Sequence, residues 1–284
     1  MGEEEMIKKL ILILGALFLG FLLYLASFFF FPQVAPLKKE NPKKTAFMEY
    51  RERQWLEEGR AVRIRQTWVP LKRISAYLVK AVIIAEDDKF WSHEGFDFEA
   101  IQKAIEKDLK AKKFKWGAST ISQQLAKNLY LTPSKNPVRK LKEAILTWRI
   151  EQALSKKRII ELYLNCVEWG EGIFGAEAAA RHYYGKGAAA LGAEEAARLA
   201  VVLPNPLRWN PVGNSRTVLN RSGIIQNIMI RRGIIIPVYE EVMRSEEISI
   251  KSVSPGSPEV PQNIEGEGTP PAPKQEGMPQ ERQP

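Results

Sequence analysis

The chain has 284 residues and a formal net charge of +9. Its single cysteine, Cys166, excludes an intramolecular disulfide framework, and with only His93 and His182 beside it a structural zinc site is excluded in practice. The basic balance favours an anionic partner, whether nucleic acid, anionic lipid or a phosphorylated substrate.

Residues 1–9 form a short charged head. Leu10–Phe31 is an unbroken run of about 22 residues without charge, long enough to cross a bilayer as a helix. A cleaved signal peptide would have a shorter apolar core followed by a small-x-small site. Here the run ends in SFFFFPQ, which favours an uncleaved anchor. Lys8 and Lys9 precede the span and Lys38, Lys39, Lys43 and Lys44 follow it, so the positive-inside rule does not orient it. Residues 32–45 are polar, carry three prolines and read as a tether. Residues 46–244 have globular composition. Residues 245–284, with eight prolines and seven Glu against three cations, hold too little apolar surface to fold.

Within 46–244 the periodicity predicts helices over Leu71–Ala85, Phe98–Lys110, Thr120–Leu131, Val138–Leu154, Lys157–Asn165, Gly175–Tyr184 and Glu194–Leu203. Alternating strand patterns are scarce, and GIIIPV (233–238) reads as a strand or a buried helix end. The class is mainly α.

Chemistry begins at AEDDKFWSHEG, residues 85–95. An apolar run leads directly into Glu86, Asp87 and Asp88, with Phe90, Trp91 and His93 following. A carboxylate beside such rings is partly desolvated, which raises its pKa and suits it to accept a proton near neutrality. A solvated helix end is the plain alternative. His93 either orients a carboxylate or fills the turn.

In GASTISQQLAKN (117–128), Thr120 and Gln123 have the spacing of a capping box. Projected at about 100° per residue, Ile121, Leu125 and Leu129 form a core face, and Gln123, Gln124, Lys127 and Asn128 gather in an arc of about 140° opposite it. That arc is either a solvated face or the wall of a cleft for a polar, anionic ligand. In NPVRKLKE (136–143), Pro137 suits a first helical position, yet Arg139, Lys140 and Lys142 crowd the first turns against the helix dipole. An anion site explains this, because helix-start N–H groups and cations then converge on one ligand. LKAKKFKWGA (109–118) interleaves lysines with Phe114 and Trp116. With an anchor upstream, contact with an anionic membrane surface is a better reading than nucleic acid, and a solvated basic loop is the third.

In combination these stretches resemble the peptidoglycan glycosyltransferases of family 51. Glu86-Asp87-x-x-Phe90-x-x-His93-x-Gly95 matches that family's first motif. Gly117-x-Ser119-Thr120-Ile121-x-Gln123-Gln124-x-x-Lys127-Asn128 matches the second, with Ser122 in place of the usual Thr. Arg139-Lys140-x-x-Glu143 matches the third, and Lys156 through IIELYLN to Asn165 the fourth. GIFGAEAAARHYYGK (172–186) and LPNPLRWNP (203–211) look like the monofunctional biosynthetic transglycosylase branch. Where the family usually has paired arginines, this chain has Asn220-Arg221, which leaves the role of Arg221 open.

The resemblance implies a lysozyme-like glycosyltransferase domain with a smaller membrane-proximal lobe, preceded by one transmembrane helix. It implies glycan polymerisation from lipid II by inverting transfer with release of undecaprenyl pyrophosphate, and no transpeptidase activity, since neither Ser-x-x-Lys nor Lys-Thr-Gly occurs. Glu86 and Glu143 are then the catalytic carboxylates, with Glu86 as the base. Asp87, Ser119, Gln123, Gln124, Lys127, Asn128, Lys135, Arg139 and Lys140 are substrate-binding, and Phe114 and Trp116 touch the membrane. No cofactor is required by the sequence. Glu143 is the candidate to hold a divalent cation, Mg or Mn, against the pyrophosphate. The implied partners are lipid II, the nascent glycan strand, the bilayer and other cell-wall synthesis or division proteins, with no nucleic acid. The implied place is the cytoplasmic (inner) membrane, N-terminus inside and catalytic domain outside. A lysozyme-like glycan hydrolase and a non-catalytic anchored scaffold for anionic cell-wall polymer are the rival readings.

Overall fold

A computed structural model describes residues 2–111, 119–134 and 136–235. These residues form ten α-helices and one small sheet. The mainly α class expected from periodicity is the class observed. The first helix, α1 (Gly2–Ser27), is apolar, long enough to cross a membrane, and buries none of its residues. The charge-free run outlasts it: Phe28–Phe31 lie in turns beyond the helix end.

The body is built from α2 (Ala46–Glu57), α3 (Ala76–Glu86), α4 (Phe98–Ala111), α5 (Ile121–Tyr130), α6 (Pro137–Ala153), α7 (Lys156–Cys166), α8 (Ala176–Tyr184), α9 (Ala193–Val202) and α10 (Arg216–Arg231). α3 packs on α9 and α10, and α5 is held between α6 and α7. Their apolar faces share one core, with Leu78, Leu125, Leu146, Ile150, Ile160 and Tyr163 wholly buried. Strands β1 (Arg65–Gln66), β2 (Glu168–Gly170) and β3 (Ile173–Phe174) form a sheet in the order β1-β3-β2. β1 lies parallel and β2 antiparallel to β3. Phe174 turns from this sheet into a second, smaller cluster with Phe47, Met48 and Trp55.

Local chemistry explains the helix starts that matter for the site. Thr120 accepts the Gln123 N–H and the Gln123 side chain accepts the Thr120 N–H at 3.0 Å, the capping box expected from spacing. Asn136 caps α6 by accepting from the Val138 N–H at 2.8 Å, with Pro137 first in the helix.

Three features differ from expectation. α2 is a helix that periodicity did not suggest, because five of its twelve residues are charged and only Phe47, Met48 and Trp55 are buried. α10 was also not expected, although Val218, Ser222, Ile225 and Met229 make a regular buried stripe. Gly223 and the polar residues around it obscure that stripe in the sequence. Third, residues 32–45 are not a loose tether. Ala35–Lys38 form a turn of 3-10 helix, and Val34 and Leu37 enter the main core. Of 233–238, residues 233–235 form a turn and bend. The remainder, like residues 245–284, lies outside the described residues.

Candidate active site

Glu86 is the last residue of α3, so the helix that carries the core ends by delivering a carboxylate. The side chain is half-buried. Gln124 of α5 donates from Nε2 to Glu86 Oε2 at 2.7 Å, and Tyr163 of α7 donates from its hydroxyl to Gln124 Oε1 at 3.0 Å. Burial pushes the Glu86 pKa up. The Gln124 hydrogen bond and the charges of Lys127 and Arg221 oppose that rise, and the neighbouring Asp87 adds to it. The direction is the one expected from sequence. Of the two rings held responsible, however, Phe90 is wholly buried with the Lys156 ammonium 4.7 Å above its face, and Trp91 is 48% exposed.

Asp87 turns inward. Its Oδ2 accepts the Ile121 N–H at 2.9 Å, at the start of α5, where a negative charge also suits the helix dipole. His93 Nδ1 accepts the Gly95 N–H at 3.1 Å, so Nε2 carries the ring proton and donates to Asp87 at 2.8 Å. Gly95 sits at φ +92° with Thr147 and Glu151 packed against it, and its carbonyl accepts from Thr120 Oγ1 at 2.7 Å. The first motif thereby locks the second in register, and Asp87 and His93 hold the frame.

A group of cations lies at the start of α6. Arg139 Nη1 and Lys140 Nζ each bond one oxygen of Glu143, whose side chain is only 3% exposed. Lys140 also reaches Ser119 Oγ at 3.3 Å. Two cations on one carboxylate leave the group net positive. Lys127, one turn along α5 from Gln124, stands within electrostatic reach of Glu143, Arg139 and Lys140 on one side and of Glu86 on the other. Burial pulls its pKa down, and Glu143 is the strongest influence opposing that. Lys127 therefore stands within electrostatic reach of both the candidate base and the cation cluster.

Other expected residues are not brought to this group. The Gln123 amide is committed to the capping box, and Asn128 donates to the Gln124 carbonyl at 2.9 Å. Both are buried, because much of the polar arc of α5 faces other helices. Lys142, crowded with Arg139 and Lys140 in the sequence, turns away toward α1. Lys135, Phe114 and Trp116 lie outside the described residues.

Two groups face the site that sequence reasoning did not assign. Tyr163 lies within the fourth motif, which was the available signal. Arg221 of α10 stands among the charges acting on Glu86, with its guanidinium 5.3 Å from the ring centre of Trp209. The rest of the fourth motif is scaffold: Asn165 exchanges hydrogen bonds with the Val69 backbone at 3.0 and 2.9 Å, and Glu161 accepts the Leu71 N–H.

The donor set does not fit a resident metal. Among the described residues no three side chains of metal-ligand type cluster, and both Glu143 oxygens are taken by cations.

Comparison with known proteins identifies the family. The family model described as Transglycosylase matches residues 53–230. A biosynthetic peptidoglycan transglycosylase of Azoarcus sp. is 54% identical over 188 residues, covering 66% of this chain and 81% of the relative. Proteins of the same description from Nitrosospira multiformis and Laribacter hongkongensis are 46% and 45% identical, covering 91% and 97% of their own lengths.

Proposed function

The chain belongs to the transglycosylase family and is a peptidoglycan transglycosylase with a lysozyme-like domain behind one apolar N-terminal helix; from this we propose that it polymerises lipid II into glycan strands by inverting transfer, with release of undecaprenyl pyrophosphate. The 4-hydroxyl of an incoming sugar attacks the anomeric carbon of the donor, and the bond to the lipid pyrophosphate breaks. The hydroxyl is a poor nucleophile until its proton is removed, and Glu86 takes that proton as the new bond forms. The pyrophosphate leaves as an anion and needs charge neutralisation more than a proton. Lys127, Arg139 and Lys140 supply it, with Glu143 holding the latter two in place.

The observation that carries this reading is the half-buried Glu86 held by Gln124 at 2.7 Å, with Lys127 one turn further along the same helix and the Arg139–Lys140–Glu143 group within its electrostatic reach. A glycan hydrolase gains nothing from such a cluster, and a passive scaffold has no need of a desolvated carboxylate beside it. In this reading the chain acts without a transpeptidase activity. α1 anchors it in the cytoplasmic membrane with its N-terminus inside and the catalytic domain outside, where the lipid-linked sugars are presented.

Polymer formation from lipid II in detergent, with and without Mg²⁺, tests the assignment. Glu86→Gln should lose about 10²–10⁴-fold in kcat, the range of a general base, while still binding lipid II. Wild-type polymerisation by this variant would remove Glu86 from the role, and release of sugar from finished glycan by the wild type would favour the hydrolase.

A further inference from the structure

The sequence between the anchor and the domain reads as a flexible tether, yet its contacts form a mount. Arg149 of α6 donates from Nη1 to the Phe28 carbonyl and from Nη2 to the Phe30 carbonyl, each at 3.0 Å. A guanidinium thus caps carbonyls just past the end of α1, where a cation suits the dipole. Lys142 bonds the Tyr24 hydroxyl, and its ammonium lies 4.5 Å from the Tyr24 ring centre and 5.0 Å from that of Phe28. Phe29 meets Trp148 edge-on at 6.0 Å. Downstream, Val34 and Leu37 are buried in the core. Arg158 of α7 donates to the Leu37 and Glu40 carbonyls at 2.8 Å and to Asn41 Oδ1 at 2.7 Å.

α6 carries both functions on one rod. Arg139, Lys140 and Glu143 form the cation group at its start, and Lys142, Trp148 and Arg149 grip the anchor. Lys140 and Lys142 are separated by about 3 Å of helix rise. The charge-free part of α1, Leu10–Ser27, spans roughly 27 Å, close to the thickness of a bilayer core of about 30 Å. Tyr24 therefore falls near the outer edge of that core, at the depth where amphipathic rings settle. The cation group lies within about one helical turn of it, measured along α6.

We infer that residues 24–41 are a rigid mount that fixes the height of the cation group against the bilayer surface, with Arg149 as the positioning residue. This rests on the proposed transfer from a membrane-borne pyrophosphate, whose headgroup is confined to that height. A loose tether would raise local concentration without selecting a depth. A mount selects the depth, and in doing so discriminates between a substrate held in a bilayer and one free in solution.

The test uses the full chain reconstituted in vesicles and two donors: full-length lipid II in the bilayer, and a short-prenyl, water-soluble lipid II. Arg149→Ala and a four-residue Gly-Ser insertion between Phe31 and Pro32 should each lose about tenfold in rate on the vesicle substrate and less than about twofold on the soluble one, while Arg149→Lys retains part of the difference. Equal loss on both substrates, or no loss on either, overturns the mount. A readout independent of activity pairs Phe29→Cys with Trp148→Cys and a short thiol cross-linker. Cys166 is buried and does not compete. Cross-linking should be efficient in the otherwise unchanged chain and impaired by the insertion, and its absence from the unchanged chain overturns the inference. If the wild type polymerises neither donor, the proposed reaction fails, and the cross-link still decides whether the mount exists.

Discussion

At the residue scale, the protonation of Glu86, the proposed base, should act on both activity and stability, with opposite signs. A base works only when ionised, so the rate should rise with pH along an acid limb displaced above the ordinary Glu range, because burial raises the Glu86 pKa against the pull of Gln124, Lys127 and Arg221. Tyr163 acts on that limb through Gln124. Burial keeps its hydroxyl protonated, and the hydroxyl donates to Gln124 Oε1, which holds the amide with its N–H groups toward the carboxylate. Tyr163→Phe frees the amide to turn its carbonyl toward Glu86, and the ionised form loses support. The acid limb of the kcat profile should move to higher pH with KM unchanged; a limb that stays in place would show that Gln124 needs no lock. For stability, a carboxylate whose folded pKa lies above its unfolded value of 4.5 contributes stability at low pH and loses it as pH rises through the folded pKa. At neutral pH the ionised Glu86 is therefore a cost of folding. Glu86→Gln should raise the melting temperature there, with the gain fading below about pH 4. Loss of both activity and melting temperature at neutral pH would mark Glu86 as a structural residue.

At the scale of elements, the site is a meeting of helix ends: the last residue of α3, the first turns of α5 and the first turns of α6. The alignment of α3 with α5 was partly legible. Thr120 and Gln123 announced their cap by spacing alone, because a capping box is local. The bond from Asp87 to the Ile121 N–H was not, since it spans 34 positions and depends on tertiary approach. The polar arc of α5 shows the limit of projection: Gln124 bonds Glu86 and Lys127 lies within its electrostatic reach, and Gln123 and Asn128, on the same arc, satisfy backbone groups. A helical wheel reports direction and not what lies there. α6 answers α5 through charge. Glu143 is the strongest of the neighbours that sustain the Lys127 cation against burial, and Arg139 and Lys140 oppose it. Glu143→Gln should therefore lower the Lys127 pKa further. The alkaline limb of the rate profile should shift to lower pH, and the shift should be absent when Lys127→Arg is the starting chain, because an Arg does not deprotonate in this range. If the limb stays fixed, the alkaline loss of activity belongs to another group.

At the scale of the whole molecule, the question is which part of the N-terminal region belongs to the fold. The sequence separates a long apolar run from a polar, proline-bearing stretch, and composition assigns both to places outside the domain. α1 has no buried residue, and among its side chains Tyr24 meets Lys142 of α6 at the surface. The compositional assignment fails for residues 32–45, because their partners are distant: the Leu37 carbonyl is held by Arg158, 121 positions away, and no local pattern encodes such a contact. Two truncations separate the cases. Removing residues 1–27 takes away no buried side chain, so the melting temperature of the remaining chain should change by less than about 2 °C. Removing residues 1–41 takes Val34 and Leu37 out of the core, where they are 3% and 8% exposed, and strips Arg158 of three acceptors. Burial of two such side chains is worth about 1.5–3 kcal/mol each as an upper bound. A loss on the order of 3 kcal/mol lowers the melting temperature by roughly 6–12 °C in a domain of this size. Equal melting of the two truncated chains would mean that residues 28–41 add nothing to the core. A large drop confined to the longer truncation would mean that the domain begins before Ala46, at the membrane surface itself.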